Sequence, residues 1–395
     1  MLGTIIEKLS SLLSKGSFIS SFFPLLAVTA ANVGLLVMVH EPFREWLSVN
    51  STNPEFLSGA IIAFMIASLL FAVINTRLRE LMEGNFWPKK ICGIFTKSQQ
   101  QRLKRLNAEY STLQRSRRFW DKESPRWKEI LSSARRQQPK QVNRTYHSNR
   151  WAGSMILRLQ KRRIHGEIIP TAEIKFAVMA LKRELRFTPM VSALDNDHVE
   201  LAENLIPYAR AKTRQEIIRV FNERQFNFPD EILAPTSMGN IGLSVRSYAQ
   251  SRYQMNLERF WTRLQKVMQN EPFYSVLQDS KVQLDFLVSM FWLCAISVGF
   301  WLVALVLIGY SLWLFFVIAI AGPVVLWSLY RLGLQNYRAF TDLMRSAVDM
   351  YRLRLLKELQ IPEPTGTKHE AALWQALADR MDYGKDFNIS YREEQ

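Results

Sequence analysis

The longest uncharged stretch of the chain, residues 286–330, contains no Asp, Glu, Lys, Arg or His over 45 positions. As one α-helix it would be about 68 Å long, roughly twice the hydrocarbon core of a bilayer, which about 20 residues can cross. The stretch is therefore predicted to cross a membrane twice, with the turn near Gly309, where glycine and hydroxyl-bearing residues interrupt the apolar sequence. We place these two spans at residues 285–308 and 312–331.

The N-terminal part of the chain contains two further stretches without charged side chains. Residues 16–40 and residues 56–76 hold no Asp, Glu, Lys or Arg, so each is predicted to span the membrane once. Before them, residues 1–15 place leucine and isoleucine at intervals of three and four. This spacing predicts an amphipathic helix that lies in the membrane interface.

The Lys and Arg residues beside the spans predict the orientation. The connector between the first two spans carries one Arg against three Glu, whereas four Lys and Arg residues follow the second span within residues 77–90. Cytoplasmic loops carry an excess of Lys and Arg, so both termini are expected in the cytoplasm. Residues 77–281 then form a cytoplasmic domain, and residues 332–395 form C-terminal helices and a tail.

The predicted cytoplasmic domain has few strand patterns, since no alternation of Val, Ile and Thr exceeds four or five residues. Apolar residues instead recur at helical spacing, as in the series Leu103, Leu106, Tyr110 and Leu113. We therefore predict an all-α membrane protein. It would have four transmembrane helices in two hairpins, with a mainly helical cytoplasmic domain between them.

Small residues recur on one side of each N-terminal span. They lie at Ala30 and Gly34 in the first span and at Gly59, Ala63 and Ala67 in the second. A spacing of four places them on one helix face, and small residues let helix backbones approach closely in lipid. These faces are predicted to pack helix against helix in a homo-oligomer. The alternative is the ordinary content of small residues in membrane helices.

The predicted cytoplasmic domain is strongly basic. Residues 77–281 contain 38 Lys and Arg against 20 Asp and Glu, and residues 97–163 alone contain 19 against four. Three interpretations remain open: contact with anionic membrane lipids, binding of nucleic acid, or a solvated cytoplasmic surface. Nucleic acid is disfavoured because no zinc finger, helix-turn-helix or aromatic-glycine strand motif is present.

A loop with two glycines precedes an arginine-rich stretch. Asn240 lies between Gly239 and Gly242, and a glycine-containing turn before a helix can bind an anion through backbone N–H groups. Four arginines that follow are predicted to converge on the same anion: Arg246, Arg252, Arg259 and Arg263. The competing interpretation is a tight turn followed by arginines that pair with acidic residues such as Glu258.

The same stretch carries several paired residues ahead of a charged segment and a membrane hairpin: Pro235-Thr236, Gly239-Asn240, Tyr248, Arg252-Tyr253 and Trp261-x-Arg263-Leu264. With these elements, residues 230–330 resemble a family of uncharacterised bacterial integral membrane proteins. The resemblance implies a bacterial inner membrane and a four-span layout. Because that family has no established activity, the resemblance implies no functional residue.

No motif in the chain identifies a chemistry. Cys92, Cys294 and five scattered histidines form no metal-ligand spacing, and no GxSxG, P-loop or HExxH motif appears. We therefore expect a protein that is not an enzyme and uses no cofactor. Its cytoplasmic domain is expected to bind an unidentified partner or an anionic ligand, in signalling or assembly at the membrane.

An oligomeric, ligand-gated pore is the alternative function. Channels can line a pathway with small polar residues and gate it by dewetting. The polar residues of the spans that suit this role are Thr29, Asn32, Ser68, Ser289 and Ser297. Such a pore would fit an effector whose opening harms the cell in a bacterial defence response.

Overall fold

The computed structural model describes residues 15–137, 151–187, 201–230, 232–309 and 312–383, and in these residues the fold is all-α, with no strand. A π-helical turn, Leu201–Leu205, leads directly into the α-helix that begins at Ile206. The predicted interfacial helix at residues 1–15 lies outside the described residues except for its last position. The described α-helices are α1 Lys15–Val39, α2 Glu41–Asn50, α3 Pro54–Glu83, α4 Lys89–Gln137, α5 Trp151–Ile164, α6 Thr171–Phe187, α7 Ile206–Asn227, α8 Ser237–Tyr253, α9 Leu257–Met268, α10 Pro272–Ile308, α11 Leu312–Glu358 and α12 Thr367–Tyr383.

Four of these helices, α1, α3, α10 and α11, are long and apolar enough to span a membrane, which indicates a multi-pass membrane protein. Three of them extend beyond the apolar sequence that predicted them. The helix α3 continues to Glu83 and is closed by Gly84 in the left-handed conformation (φ 92°), α10 begins at Pro272, and α11 continues to Glu358. A helix ends at a capping residue rather than at the edge of the apolar sequence, so hydropathy alone places its ends poorly.

The connector between α1 and α3 is a short helix, α2, rather than an irregular loop. His40 caps its start, because the ring Nδ1 accepts a hydrogen bond from the backbone N–H of Phe43 at 3.0 Å. Asn53 caps α3 in the same way, with its Oδ1 accepting from the N–H of Glu55 at 3.0 Å. At the other apolar turn, Gly309 closes α10 in the left-handed conformation (φ 68°), as the sequence predicted for a turn at this point.

The helices α1 and α10 run in the same direction, side by side. Near their starts, a Cβ added at Gly16 would lie 2.3 Å from Cγ2 of Val282, so the backbone of α1 approaches α10 closely. Farther along, Asn32 Oδ1 accepts hydrogen bonds from Ser297 Oγ at 2.8 Å and from the indole N–H of Trp301 at 2.6 Å. A polar side chain that joins two apolar helices in this way stabilises their packing in lipid.

The helix α10 also contacts the other two apolar helices. On α3, the side-chain amide of Asn75 donates to the backbone oxygen of Asp285 in α10 at 3.1 Å. On α11, a Cβ at Gly322 would lie 2.7 Å from Cγ1 of Val298, so this glycine permits close contact with α10. The helix α10 therefore contacts α1, α3 and α11.

The chain divides into two compact units. The first comprises residues 1–101 and 225–395, and it holds the four apolar helices together with α8, α9 and α12. Its core includes the apolar face of α9, where Leu257, Phe260, Leu264 and Met268 are buried at helical spacing. The ring of Phe260 packs edge-on against Trp374 of α12, with centroids 5.1 Å apart.

The second unit comprises residues 102–224 and has its own apolar core. Trp120 and Trp127 of α4 are buried with Ile156, Leu159 and Ile174 from α5 and α6. The helices α4 and α7 run antiparallel. Three ion pairs join them, and the residue numbers rise along α4 while they fall along α7: Arg102–Glu223 (3.2 Å), Glu109–Arg219 (2.8 Å) and Asp121–Arg210 (2.9 Å).

Candidate functional site

The predicted anion-binding turn around Asn240 forms the start of α8. Asn240 is fully buried, and its side-chain amide pairs with the backbone of Ala234 in both directions: Oδ1 accepts from N–H at 2.7 Å and Nδ2 donates to the oxygen at 3.1 Å. Thr236 caps the helix, with Oγ1 accepting from the N–H of Gly239 at 2.9 Å. The amide of Asn240 thus holds the loop before α8 and is engaged by the protein itself.

The two glycines of the turn are positions of close backbone approach. A Cβ added at Gly239 would lie 2.2 Å from the backbone oxygen of Glu83, and one at Gly242 would lie 2.6 Å from the hydroxyl oxygen of Tyr337. Thr236 Oγ1 also donates to the oxygen of Glu83, at 2.9 Å. The start of α8 therefore packs directly on the end of α3, and a side chain at either glycine would collide with protein atoms, although a small cavity of about 90 Å³ lies beside both glycines.

The four predicted arginines do not converge. Each has its own contact: Arg246 forms an ion pair with Glu258, Arg252 lies over the rings of Tyr248 and Tyr253, Arg259 forms an ion pair with Asp382 at 2.8 Å, and Arg263 donates to the backbone oxygen of Arg259 at 2.9 Å. This arrangement matches the competing interpretation, in which each arginine pairs locally. The four arginines do not form one anion site together.

A polar cluster lies instead where α8 packs against the polar half of α11. We call it the α8–α11 cluster, and it consists of Ser244, Tyr248, Arg252, Tyr253, Arg345, Asp349 and Arg352. At its centre, Asp349 accepts hydrogen bonds from the hydroxyl of Tyr248 at 2.8 Å and from the hydroxyl of Tyr253 at 2.7 Å. One carboxylate of α11 is thus held by two phenols of α8.

The two phenols remain hydrogen-bond donors over a wide range of pH. Burial, followed by the hydrogen bond to Asp349, raises the pKa of both Tyr248 and Tyr253 above that of a free tyrosine. The guanidinium of Arg252 lies 5.5 Å from the ring centre of Tyr248 and donates to its hydroxyl oxygen at 3.1 Å. The contact between α8 and α11 therefore combines hydrogen bonds with cation–π interactions.

Arg345 is the most buried charged residue of the cluster, with 3% of its surface exposed. Its guanidinium lies 4.5 Å from the ring centre of Phe226, and its Nη2 donates to Ser244 Oγ at 2.7 Å. Burial lowers the pKa of Arg345 to about 10, because removal from water disfavours the charged form. Among the residues that the structure describes, its Nε and Nη1 have no hydrogen-bond partner.

The cluster continues to α12 through Arg352. The Nε of Arg352 donates to Glu370 Oε1 at 2.7 Å, and its guanidinium lies 4.1 Å from the ring centre of Tyr253. Charges from three helices are thus joined in one chain of contacts. Because its donors and acceptors mainly satisfy one another, the cluster is suited to holding helices together.

A second polar contact joins α3 to α11. The hydroxyl of Tyr337 donates to Glu83 Oε1 at 2.8 Å, and burial, followed by the negative charge of Glu83, raises the pKa of this phenol. Arg79 lies 3.9 Å from Glu83 and 3.5 Å from Asp285, so the end of α3 also contacts α10.

The part of the chain that the structure describes contains no group of three His, Cys, Asp or Glu side chains placed to hold a metal ion.

The small residues predicted for helix packing all lie on exposed faces of the chain. Ala30 and Gly34 of α1 are exposed, as are Gly59, Ala63 and Ala67 of α3. A Cβ added at Gly34 or Gly59 would meet no atom within 4 Å. Packing within the chain therefore uses other sides of these helices.

The polar residues predicted to line a pore are mostly inside the chain. Asn32 and Ser297 bond to each other, and Ser68 and Ser289 are buried. Thr29 alone of this set is exposed. Four of the five residues therefore face other parts of the same chain.

Sequence reasoning missed the α8–α11 cluster as a site. The weak signal was a charged stripe, Arg345, Asp349 and Arg352, at spacings of four and three beside the apolar positions of α11. Nothing local shows that such a stripe faces Tyr248, which lies about a hundred residues earlier in the chain. Only the packing of α8 on α11 brings the two groups together.

Comparisons with protein-family models, with curated proteins and with solved structures found no match to this chain. The resemblance to a four-span bacterial family therefore stays a prediction.

Proposed function

We propose that this chain is a non-enzymatic protein of the bacterial inner membrane that assembles as a homo-oligomer. Its four apolar helices would form two hairpins with both termini in the cytoplasm. Its basic helical region, on the same side, would bind a cytoplasmic partner or an anionic ligand, in signalling or assembly at the membrane. The excess of Lys and Arg after the second span and the family resemblance support this orientation and location.

The observation that carries the proposal is that the small-residue faces of α1 and α3 are exposed. Ala30, Gly34, Gly59, Ala63 and Ala67 are exposed, so none of the helices that the structure describes covers them. In lipid, where apolar side chains gain little by leaving the solvent, helices associate through close backbone approach, which small residues permit. A second copy of the chain is the simplest partner for such faces.

A second feature supports coupling between the membrane and the cytoplasmic side. The helix α11 is continuous from Leu312 to Glu358, with Pro323 inside its apolar half, so this half and the residues Arg345 and Asp349 of the α8–α11 cluster belong to one helix. A displacement of the apolar half would therefore be transmitted to the contacts of Arg345 and Asp349. This supports a signalling or assembly role more than a pore, since two of the five polar residues suited to line a pore are buried and two more bond to each other within the chain.

The orientation is tested by labelling. We expect a single cysteine placed at Asn53, in a variant with Cys92 and Cys294 replaced by serine, to react with an impermeant reagent added outside the cell. Cysteines placed at Lys140 or Glu394 should react only after the membrane is opened, because the charge asymmetry places them inside. External labelling at Lys140 would contradict the proposed arrangement of all four spans.

Assembly is tested by enlarging the small residues. Gly59→Leu and Ala63→Leu are expected to reduce crosslinked oligomers in membranes by several-fold, because added bulk separates backbones that must touch. The matched control is Ile62→Leu, which changes the shape but not the size of a neighbouring exposed residue. It should leave the oligomer population unchanged.

An oligomer population that is the same in all three variants would show that these small residues are not at an interface. Loss of oligomer in Ile62→Leu as well would indicate a general effect of mutation on α3. The assembly proposal therefore requires that Gly59→Leu and Ala63→Leu lower the oligomer population and that Ile62→Leu does not.

A further inference from the structure

An open cavity of about 690 Å³ lies between α4 and α7 in the second unit. Its lining comes from one face of each helix, at spacings of three and four. From α4 the lining residues are Arg117, Asp121, Ser124 and Lys128, and from α7 they are Pro207, Arg210, Ala211, Arg214, Gln215 and Ile218. We call this cavity the α4–α7 groove.

The groove is cationic. Four of its lining residues are basic and one, Asp121, is acidic, so its formal net charge is +3. Asp121 lies 3.5 Å from Arg117 on the same helix and 2.9 Å from Arg210 on the facing helix, so one carboxylate holds both guanidinium groups at the groove. Lys128 and Arg214 form no ion pair with any residue that the structure describes. Their charges are therefore available to a ligand.

The shape of the groove limits the ligand. Arg117 and Lys128 are eleven residues apart on one helix, about 16 Å along its axis, so one small anion cannot contact both. The basic groups of α7 face them from the opposite wall, and Ala211 and Ile218 add apolar surface between. A ligand that matches these features carries more than one anionic group.

We propose that the α4–α7 groove binds a small ligand that bears two or more phosphate groups. This rests on the proposed function, because it names the anionic ligand of the cytoplasmic region. Arginine binds phosphate oxygens with paired N–H donors, and lysine adds a point charge, so the set of four basic groups suits this chemistry. Either a soluble polyphosphate compound or the headgroup of a diphosphorylated lipid provides these groups.

The test uses the full-length protein in nanodiscs of zwitterionic lipid, with inorganic tripolyphosphate as the soluble probe and isothermal titration calorimetry as the measurement. The groove variant carries Lys128→Gln and Arg214→Gln. The control variant carries Arg118→Gln and Lys122→Gln, which remove the same charge from exposed positions of α4 outside the groove. A parallel arm measures cardiolipin, a lipid with two phosphates, retained by each purified variant in native mass spectrometry.

We expect the groove variant to bind tripolyphosphate at least about tenfold more weakly than the wild type, and the control variant to bind within about threefold of it. If the wild type binds no tripolyphosphate and only the groove variant loses cardiolipin, the groove is a phosphate-binding site whose ligand is a lipid headgroup. Equal losses in both variants, or no binding of either probe at low salt, would overturn the inference. The crosslinking result on α3 is independent of this outcome, so the two proposals can fail separately.

Discussion

Replacing Gly239 by alanine is expected to lower the free energy of unfolding by about 3 kcal/mol and the apparent melting temperature by about 6 °C. The new Cβ would lie 2.2 Å from the backbone oxygen of Glu83 and 2.7 Å from the Cβ of Ala234. Neither atom belongs to a flexible side chain, so α8 must move away from the end of α3. Thermal unfolding of the purified protein in detergent, followed by circular dichroism, measures the change.

Gly93→Ala is the matched control for this substitution. Gly93 lies inside α4, and an added Cβ there would meet no atom within 4 Å. Alanine is a better helix former than glycine, so this variant should be more stable than the wild type by about 0.5–1 kcal/mol. The two substitutions are chemically identical, but their effects on the free energy of unfolding are expected to have opposite signs. Equal melting temperatures would contradict the close packing of α8 on α3.

Replacing Asp349 by alanine is expected to lower the free energy of unfolding by about 2–3 kcal/mol. The variant removes the acceptor of the Tyr248 and Tyr253 hydroxyls. Hydrogen bonds to a charged group contribute more than neutral ones, and the partial exposure of this site keeps the expected loss at the lower end of the range for two such bonds. The same unfolding measurement applies.

A mutant cycle separates this interaction from a general effect of mutation. The variant with Tyr248→Phe and Tyr253→Phe removes only the two hydroxyls, and combining it with Asp349→Ala should cost much less than the sum of the separate losses. Glu363→Ala, at an exposed acidic residue in the connection between α11 and α12, should change stability by no more than about 0.5 kcal/mol. Additive losses would show that the two phenols and Asp349 do not act together.

The membrane part of this protein was predictable because its signals are local. A charge-free stretch of sufficient length determines that a helix can span a bilayer, whatever it packs against, and all four predicted spans are present as long apolar helices. The polar half of α11 also has a local signal in the sequence, since apolar residues recur there at helical spacing and are buried in the structure: Tyr337, Phe340, Ala347, Tyr351 and Leu355. The ends of these helices were predicted less well, because capping contacts rather than hydropathy decide them.

The sequence by itself determined how many helices can enter lipid and where basic charge is concentrated, because hydropathy and charge depend on neighbouring residues only. Tertiary structure alone decided which groups meet. Asn240 and the four arginines near it find separate partners, whereas Tyr248 reaches Asp349 across 101 positions and Thr236 reaches Glu83 across 153. Such pairs depend on how α8 packs against α3 and α11, and many arrangements of the same helices satisfy the local pattern equally well. The physical reason is that helix formation is a short-range property, while the choice of facing helix depends on close packing between distant segments.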